Sequence, residues 1–172
     1  HCPMADMPKV FDALLSAGKS HGIALFGTYA MNALRMEKAY RGWGSELTFE
    51  IDVFEGAMER FIRLDKPDFT GRAASLVKQQ RGARIKLVYL RVDALDSDCA
   101  GNEPVYAGET IVGLTTSGAY GYAAEKSLAF AYVDPAFAEP GTEFDILILG
   151  ERRRAVILPD AAWDAKNERL RA

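Results

Sequence analysis

The feature that most constrains this chain is a change of period near residue 84. From Arg84 onward Ile85, Leu87, Tyr89 and Arg91 alternate with Lys86, Val88, Leu90 and Val92, the two-residue repeat of a strand. Short runs of the same kind follow at Pro104 to Tyr106, Thr110 to Thr116, Ser127 to Val133, Glu143 to Leu149 and Arg153 to Leu158. Six short strands separated by turn residues predict a small antiparallel barrel or sandwich. Gly150-Glu151 is a plausible tight turn between the last two. Arg152-Arg153-Arg154, the one basic cluster, then belongs to a solvated hairpin.

Upstream the period is helical. Pro8 suits a first helical position with Asp6 or Met7 as cap, Val10, Phe11, Leu14 and Leu15 share a face, and Gly18 stops the helix. Ile23 to Phe26 is an apolar connector. Thr28 can cap a second helix through Tyr40, with Ala30, Met31, Ala33 and Leu34 inward. Asp52 can cap a short turn containing Phe54, Ala57 and Met58, followed by a strand around Phe61 to Leu64. Asp68 can cap a third helix with Phe69, Ala73, Leu76 and Val77 inward, ending at Gly82. The expected class is therefore α+β, with a boundary near residue 82 between residues 1–82 and a barrel with its tail, residues 83–172. The tail from Asp160 is polar apart from Trp163 and Leu170 and reads as an ordered wrap that frays at its end.

Composition excludes several classes. A net charge of −3 with interspersed signs leaves no footprint for nucleic acid. No apolar run reaches the roughly eighteen residues of a membrane span. Cys2 and Cys99 make no disulfide framework, and with His1 and His21 they form no zinc-ligand spacing. Free thiols favour a reducing compartment, the cytoplasm or, in a eukaryote, the mitochondrial matrix. There is no secretory signal, phosphate loop, dinucleotide fingerprint or nucleophile elbow. No carboxylate is singled out as catalytic.

Two loops stand out. The first follows the second helix, where Gly42 and Gly44 bracket Trp43 next to Tyr40 and Arg41. The second is Thr116 to Ser127, where Tyr120 and Tyr122 sit among glycine and alanine, with Gly118 to Gly121 read as loop. Aromatic rings on glycine-rich turns suit stacking against a flat ligand; they equally suit packing or covering a barrel end.

The order of four motifs resembles the aminomethyltransferase family, the glycine-cleavage T-protein and the folate domains joined to dimethylglycine and sarcosine dehydrogenases. Leu34-Arg35-Met36-Glu37-Lys38-Ala39-Tyr40-Arg41-Gly42-Trp43-Gly44-Ser45-Glu46-Leu47-Thr48 is similar to its central motif in the dehydrogenase version. Leu64-Asp65-Lys66 with Asp68-Phe69-Thr70-Gly71-Arg72 resembles a second element. Thr116-Ser117-Gly118 with Lys126 to Val133 resembles the barrel element, and Pro140-Gly141-Thr142 the turn after it. An arginine of the T-proteins, four residues before the Leu-Arg-x-Glu arginine, is Met31 here, which fits the dehydrogenase branch.

The resemblance implies the end of a folate-binding aminomethyltransferase domain followed by its β-barrel. It implies tetrahydrofolate as cofactor, with FAD only on an upstream domain. The chemistry implied is handover of a one-carbon unit, from an iminium made by a flavin domain, to give 5,10-methylenetetrahydrofolate. Residues carrying the proton chemistry are expected before His1, so the piece alone is expected to be inactive. Expected partners are folate and either an upstream flavin domain or the remaining half of the folate domain, with no nucleic acid and no membrane. Tyr40, Trp43, Tyr120 and Tyr122 are the expected cofactor-binding walls, while Arg35 and Glu37 are expected to tie the helix to its neighbouring loop. The alternatives are a free-standing aminomethyltransferase of glycine cleavage and a non-catalytic regulatory homologue.

Overall fold

In the computed structural model, which describes residues 1–172, the second half of the chain closes on itself. Strands β1 (Lys86–Val92), β2 (Pro104–Ala107), β3 (Thr110–Gly121), β4 (Lys126–Val133), β5 (Glu143–Ile148) and β6 (Glu151–Ile157) form a closed barrel in the order β1-β4-β3-β2-β5-β6. Every pairing is antiparallel, and the ring closes where Leu90 and Val92 of β1 meet Ile157 and Ala155 of β6.

The barrel interior is filled by alternate side chains, among them Val88, Leu90, Val105, Ala129, Ala131, Phe144, Ile146 and Ile157. On β1 and β4 the outward side chains are buried too: Leu87, Tyr89, Leu128 and Phe130 pack with Met36 into a second cluster. Both faces of these two strands therefore carry apolar residues, so β1 reads as a nearly continuous apolar run.

The chain divides into two compact units, His1–Met31 and Asn32–Ala172. In the first, helix α1 (Met7–Gly18) has Pro8 in its first turn and passes into a short 3-10 turn that Gly22 ends with a left-handed φ of 69°. Val10, Phe11 and Leu14 line one face of α1 and remain exposed, as do Leu25 and Phe26 of the connector.

Helix α2 (Thr28–Glu37) ends earlier than its period suggests, because Ala39 turns to φ 52° and the Ala39 and Tyr40 amides fold back on the Met36 and Arg35 carbonyls. Its buried residues are Ala33, Met36 and Glu37, whereas Ala30, Met31 and Leu34 are exposed. Helix α3 (Arg72–Arg81) starts after the expected Asp68 cap: Gly71 at φ 91° precedes it, with no side-chain cap, and it buries no residue. No strand forms at Phe61 to Leu64; residues 59–61 make one 3-10 turn. Asp52 does cap its turn, its Oδ1 accepting the Phe54 and Glu55 amides at 3.0 and 2.9 Å.

Two turns also differ from expectation. The β5–β6 hairpin turns on Leu149 and Gly150, both at positive φ, the backbone of a two-residue hairpin turn that matches strand twist. Thr116 to Gly121 is strand: after a register shift between Thr115 and Ser117, pairing continues from Ser117–Phe130 to Gly121–Lys126. The glycines there serve close approach. A Cβ on Gly118 would lie 2.6 Å from the Cys99 carbonyl, and one on Gly121 2.8 Å from Glu37 Cγ.

Candidate functional site

The loop after α2 is built around a buried carboxylate. Gly42 begins a tight turn whose carbonyl accepts the Glu46 and Leu47 amides, and Gly44 (φ 91°) closes it by donating to the Leu47 carbonyl. The turn swings Glu46 inward until it is fully buried. Its Oε2 accepts from Arg35 Nη1 at 2.8 Å, the Gly42 amide at 2.6 Å and the Ser45 hydroxyl at 3.0 Å. Its Oε1 accepts from Thr116 at 2.7 Å and Ser117 at 2.5 Å on β3. Burial alone would raise this carboxyl, but the Ser117, Gly42 and Thr116 hydrogen bonds and the Arg35 charge hold it below the usual range. Glu46 is thus a fixed anion near neutral pH, unsuited to shuttling protons.

Arg35 is equally committed. It donates to Asn32 at 2.8 Å, Glu46 at 2.8 Å and Ser117 at 2.9 Å. Glu37, buried, accepts the Ala123 and Ala124 amides at 2.6 and 3.0 Å and so fixes the turn after β3. Arg35 therefore ties α2 to the Gly42–Glu46 turn and to β3, and Glu37 ties it to the β3–β4 turn.

Tyr40 and Trp43 lie on the outer side of this turn, 48% and 70% exposed. Trp43 meets Phe49 edge to face, with centroids 5.1 Å apart, leaving a broad aromatic surface. Tyr120 and Tyr122 form a second edge-to-face pair at 5.2 Å. Tyr120 belongs to β3 and Tyr122 to the turn after it, where Tyr122 stands 77% exposed. Beside them lies a cavity of about 400 Å3 bounded by Leu95, Asp96 and Asp98. Of the four aromatic residues expected as site walls, Trp43 pairs with Phe49, Tyr120 pairs with Tyr122, and Tyr40 joins neither pair.

Sequence reasoning passed over Glu46. The signal was present in the residue types: a glycine four residues earlier and a serine immediately before it.

A helical segment anchored by a buried arginine–glutamate pair onto a closed six-stranded antiparallel barrel defines an α+β barrel-domain class. Two family models match the chain: "GCVT N-terminal domain" over residues 1–66 and "Glycine cleavage T-protein C-terminal barrel domain" over residues 86–164. The chain belongs to the glycine-cleavage T-protein, or aminomethyltransferase, family.

Among its relatives, human mitochondrial dimethylglycine dehydrogenase is 42% identical over 156 residues, which is 90% of this chain and 18% of that protein. An aminomethyltransferase of Saccharopolyspora erythraea is 36% identical over 147 residues, 85% of this chain and 40% of that protein. The chain thus spans well under half the length of either. The crystal structure of aminomethyltransferase T of the glycine cleavage system from Bartonella henselae shares the fold, with a TM-score of 0.73 at 21% identity over 79% of this chain and 38% of that one. No helix is long and apolar enough to cross a membrane.

Proposed function

We infer that this chain is the C-terminal part of a flavin-linked, tetrahydrofolate-dependent N-demethylating enzyme of the dimethylglycine or sarcosine dehydrogenase type, which passes the one-carbon unit to folate. The observation that carries this reading is the 42% identity with dimethylglycine dehydrogenase across 90% of the chain. Met31, standing where the T-proteins resembled here carry arginine, supports the same branch. In this reading residues 1–82 close the folate domain and residues 83–172 are its barrel domain and tail. The exposed apolar face of α1 suits packing against the preceding part of that domain. The mitochondrial relative favours the matrix as compartment.

The residues present do not fit a flavin: all six strands pair antiparallel, without the parallel strand–turn–helix unit that seats a dinucleotide. In this reading FAD would sit on an upstream domain. They do fit a flat folate ring, because Trp43, Phe49 and Tyr40 offer exposed aromatic surface on a turn that Glu46 and Arg35 hold rigid. Tetrahydrofolate supplies the nitrogen that takes up the one-carbon unit. The chain's residues orient the ring and exclude water from it. Arg35, spent on Glu46 and Ser117, does not reach for folate carboxylates.

Trp43→Ala in the intact enzyme tests this. The tetrahydrofolate concentration for half-maximal transfer should rise about three- to tenfold, the worth of one aromatic contact. The melting temperature should hardly move, since the ring is largely exposed. A large stability loss with unchanged folate dependence would make Trp43 a packing residue and remove the main support for the site. Calorimetry on these 172 residues should show weak or no tetrahydrofolate binding; tight binding would show that the pocket is complete without the preceding half. The match to a Saccharopolyspora aminomethyltransferase favours a second reading, a free-standing transferase of glycine cleavage. An upstream flavin-binding domain in the full-length protein decides for the first.

A further inference from the structure

A second concavity lies where Ala39 and Arg41 meet the start of β1 and the residues that follow β6. It has a volume of about 410 Å3 and is lined by Arg41, Arg60 and Lys86 around an apolar floor that includes the half-buried Ala57 and Leu158, with Asp160 also in its lining. That volume is in the range of small-molecule pockets.

The charges here are unbalanced. Lys86 is neutralised by Glu59 at 2.8 Å. Arg41 makes no ion pair: its terminal nitrogens donate only to the Ala39 and Ala57 carbonyls, at 3.1 and 3.2 Å, and its buried Nε has no acceptor. The guanidinium sits 5.8 Å over the Phe130 ring. Arg60 makes no ion pair either, its guanidinium lying over Phe61 at 4.6 Å. Burial first, and the Arg60 charge second, depress the Arg41 guanidinium below its ordinary value, outweighing the opposing pull of Glu59 and Glu46. After Asp160 is set against the two arginines, one positive charge remains. A half-buried arginine kept in this state is costly unless something anionic visits it.

We propose that the Arg41–Arg60 cavity binds a small molecule bearing a single carboxylate on an apolar body, the carboxylate bridging the two guanidiniums and the body lying on the Ala57 and Leu158 floor. Arginine is suited to carboxylate because its planar fork donates two parallel hydrogen bonds. The apolar floor selects against a bare inorganic anion, which would leave that surface wet.

The test uses benzoate as probe and inorganic phosphate as comparison, titrated into this chain while arginine Nε–H resonances are followed. Benzoate should shift the Arg41 Nε–H signal saturably, and phosphate should bind at least several-fold more weakly. Arg60→Gln, at an exposed position, should weaken benzoate about tenfold, the loss of one charge-assisted contact. Arg41→Lys should weaken it similarly, since the lysine keeps the charge and loses the fork. Arg152→Gln, which alters a cation of the β5–β6 hairpin, should change nothing. The proposal is overturned if benzoate produces no saturable shift, if phosphate binds as tightly as benzoate, or if Arg60→Gln leaves benzoate affinity within twofold. Should Arg41→Lys fail to fold, Arg60→Gln alone decides the matter.

Discussion

At the scale of single residues, Glu46 shows how a carboxylate can sit in a protein interior without acting as an acid or base. Burial alone costs several kcal/mol for an unpaired ion, and five donors around two oxygens offset that cost here. Removing the charge leaves Arg35 without its anion while Ser117 and Thr116 face an amide. Glu46→Gln should therefore lower unfolding free energy by about 2–4 kcal/mol, read by urea denaturation. The pH dependence follows from the direction of the shift. The folded carboxyl titrates below its unfolded value near 4.3, so its stabilisation is complete above that value and is lost as pH falls through the folded one. Melting temperature should accordingly decline below about pH 4.5 in the native chain, and less steeply in Glu46→Gln. The Cys99 thiol, pushed up to about 12 by burial, Glu103 and Asp98, should resist alkylating reagents near neutral pH that readily label exposed Cys2.

At the scale of elements, the junction between α2 and the barrel concentrates the specificity. Glu37 on the helix, the amides of Ala123 and Ala124, and the bare backbone of Gly121 meet in one place. Glu37→Gln should speed amide exchange at Ala123 and Ala124 selectively, with less change in β5 and β6; uniform acceleration across the barrel would show that the contact holds the whole fold. Gly113 is a stricter case: its Cβ would fall 2.2 Å from the Tyr132 carbonyl, which is main chain and cannot swing aside. Gly113→Ala should cost more than about 2 kcal/mol or block folding, measured by denaturation or soluble yield.

The same elements show what the sequence could disclose. Short apolar runs between turn residues located the six barrel strands, although β1 and β4 are apolar on both faces and the strand expected at Phe61 to Leu64 does not form. The extent of β3 was hidden, because Gly118 and Gly121 carry a turn-like composition whose real cause is crowding by Cys99 and Glu37, residues distant in sequence. The inward face of α2 was misjudged for a similar reason: the buried set Ala33, Met36 and Glu37 includes an acid that no hydrophobic period would select. The Glu46 cradle draws on five groups scattered over 83 positions, Arg35 to Ser117, a pattern that only folding assembles.

At the scale of the whole molecule, stability is unevenly distributed. The barrel and its second apolar cluster hold nearly all the buried large side chains, whereas His1–Met31 contributes none. Hydrogen exchange should therefore rank α1 far below β1 and β4 in protection, by several orders of magnitude in rate. Equal protection would mean that α1 has found a partner, such as a second copy, for its exposed Phe11 and Leu14.

The closed ring also dictates an order of events during synthesis. β1 needs both β4 and β6 as neighbours, and β6, which ends at Ile157, is the last strand of the ring to be made. Until Ile157 has left the ribosome, β1 and β5 each keep one unpaired border, the kind of edge that recruits other chains. The barrel thus closes only once β6 is in place, and a chain truncated before β6 would present two open borders where the closed ring presents none.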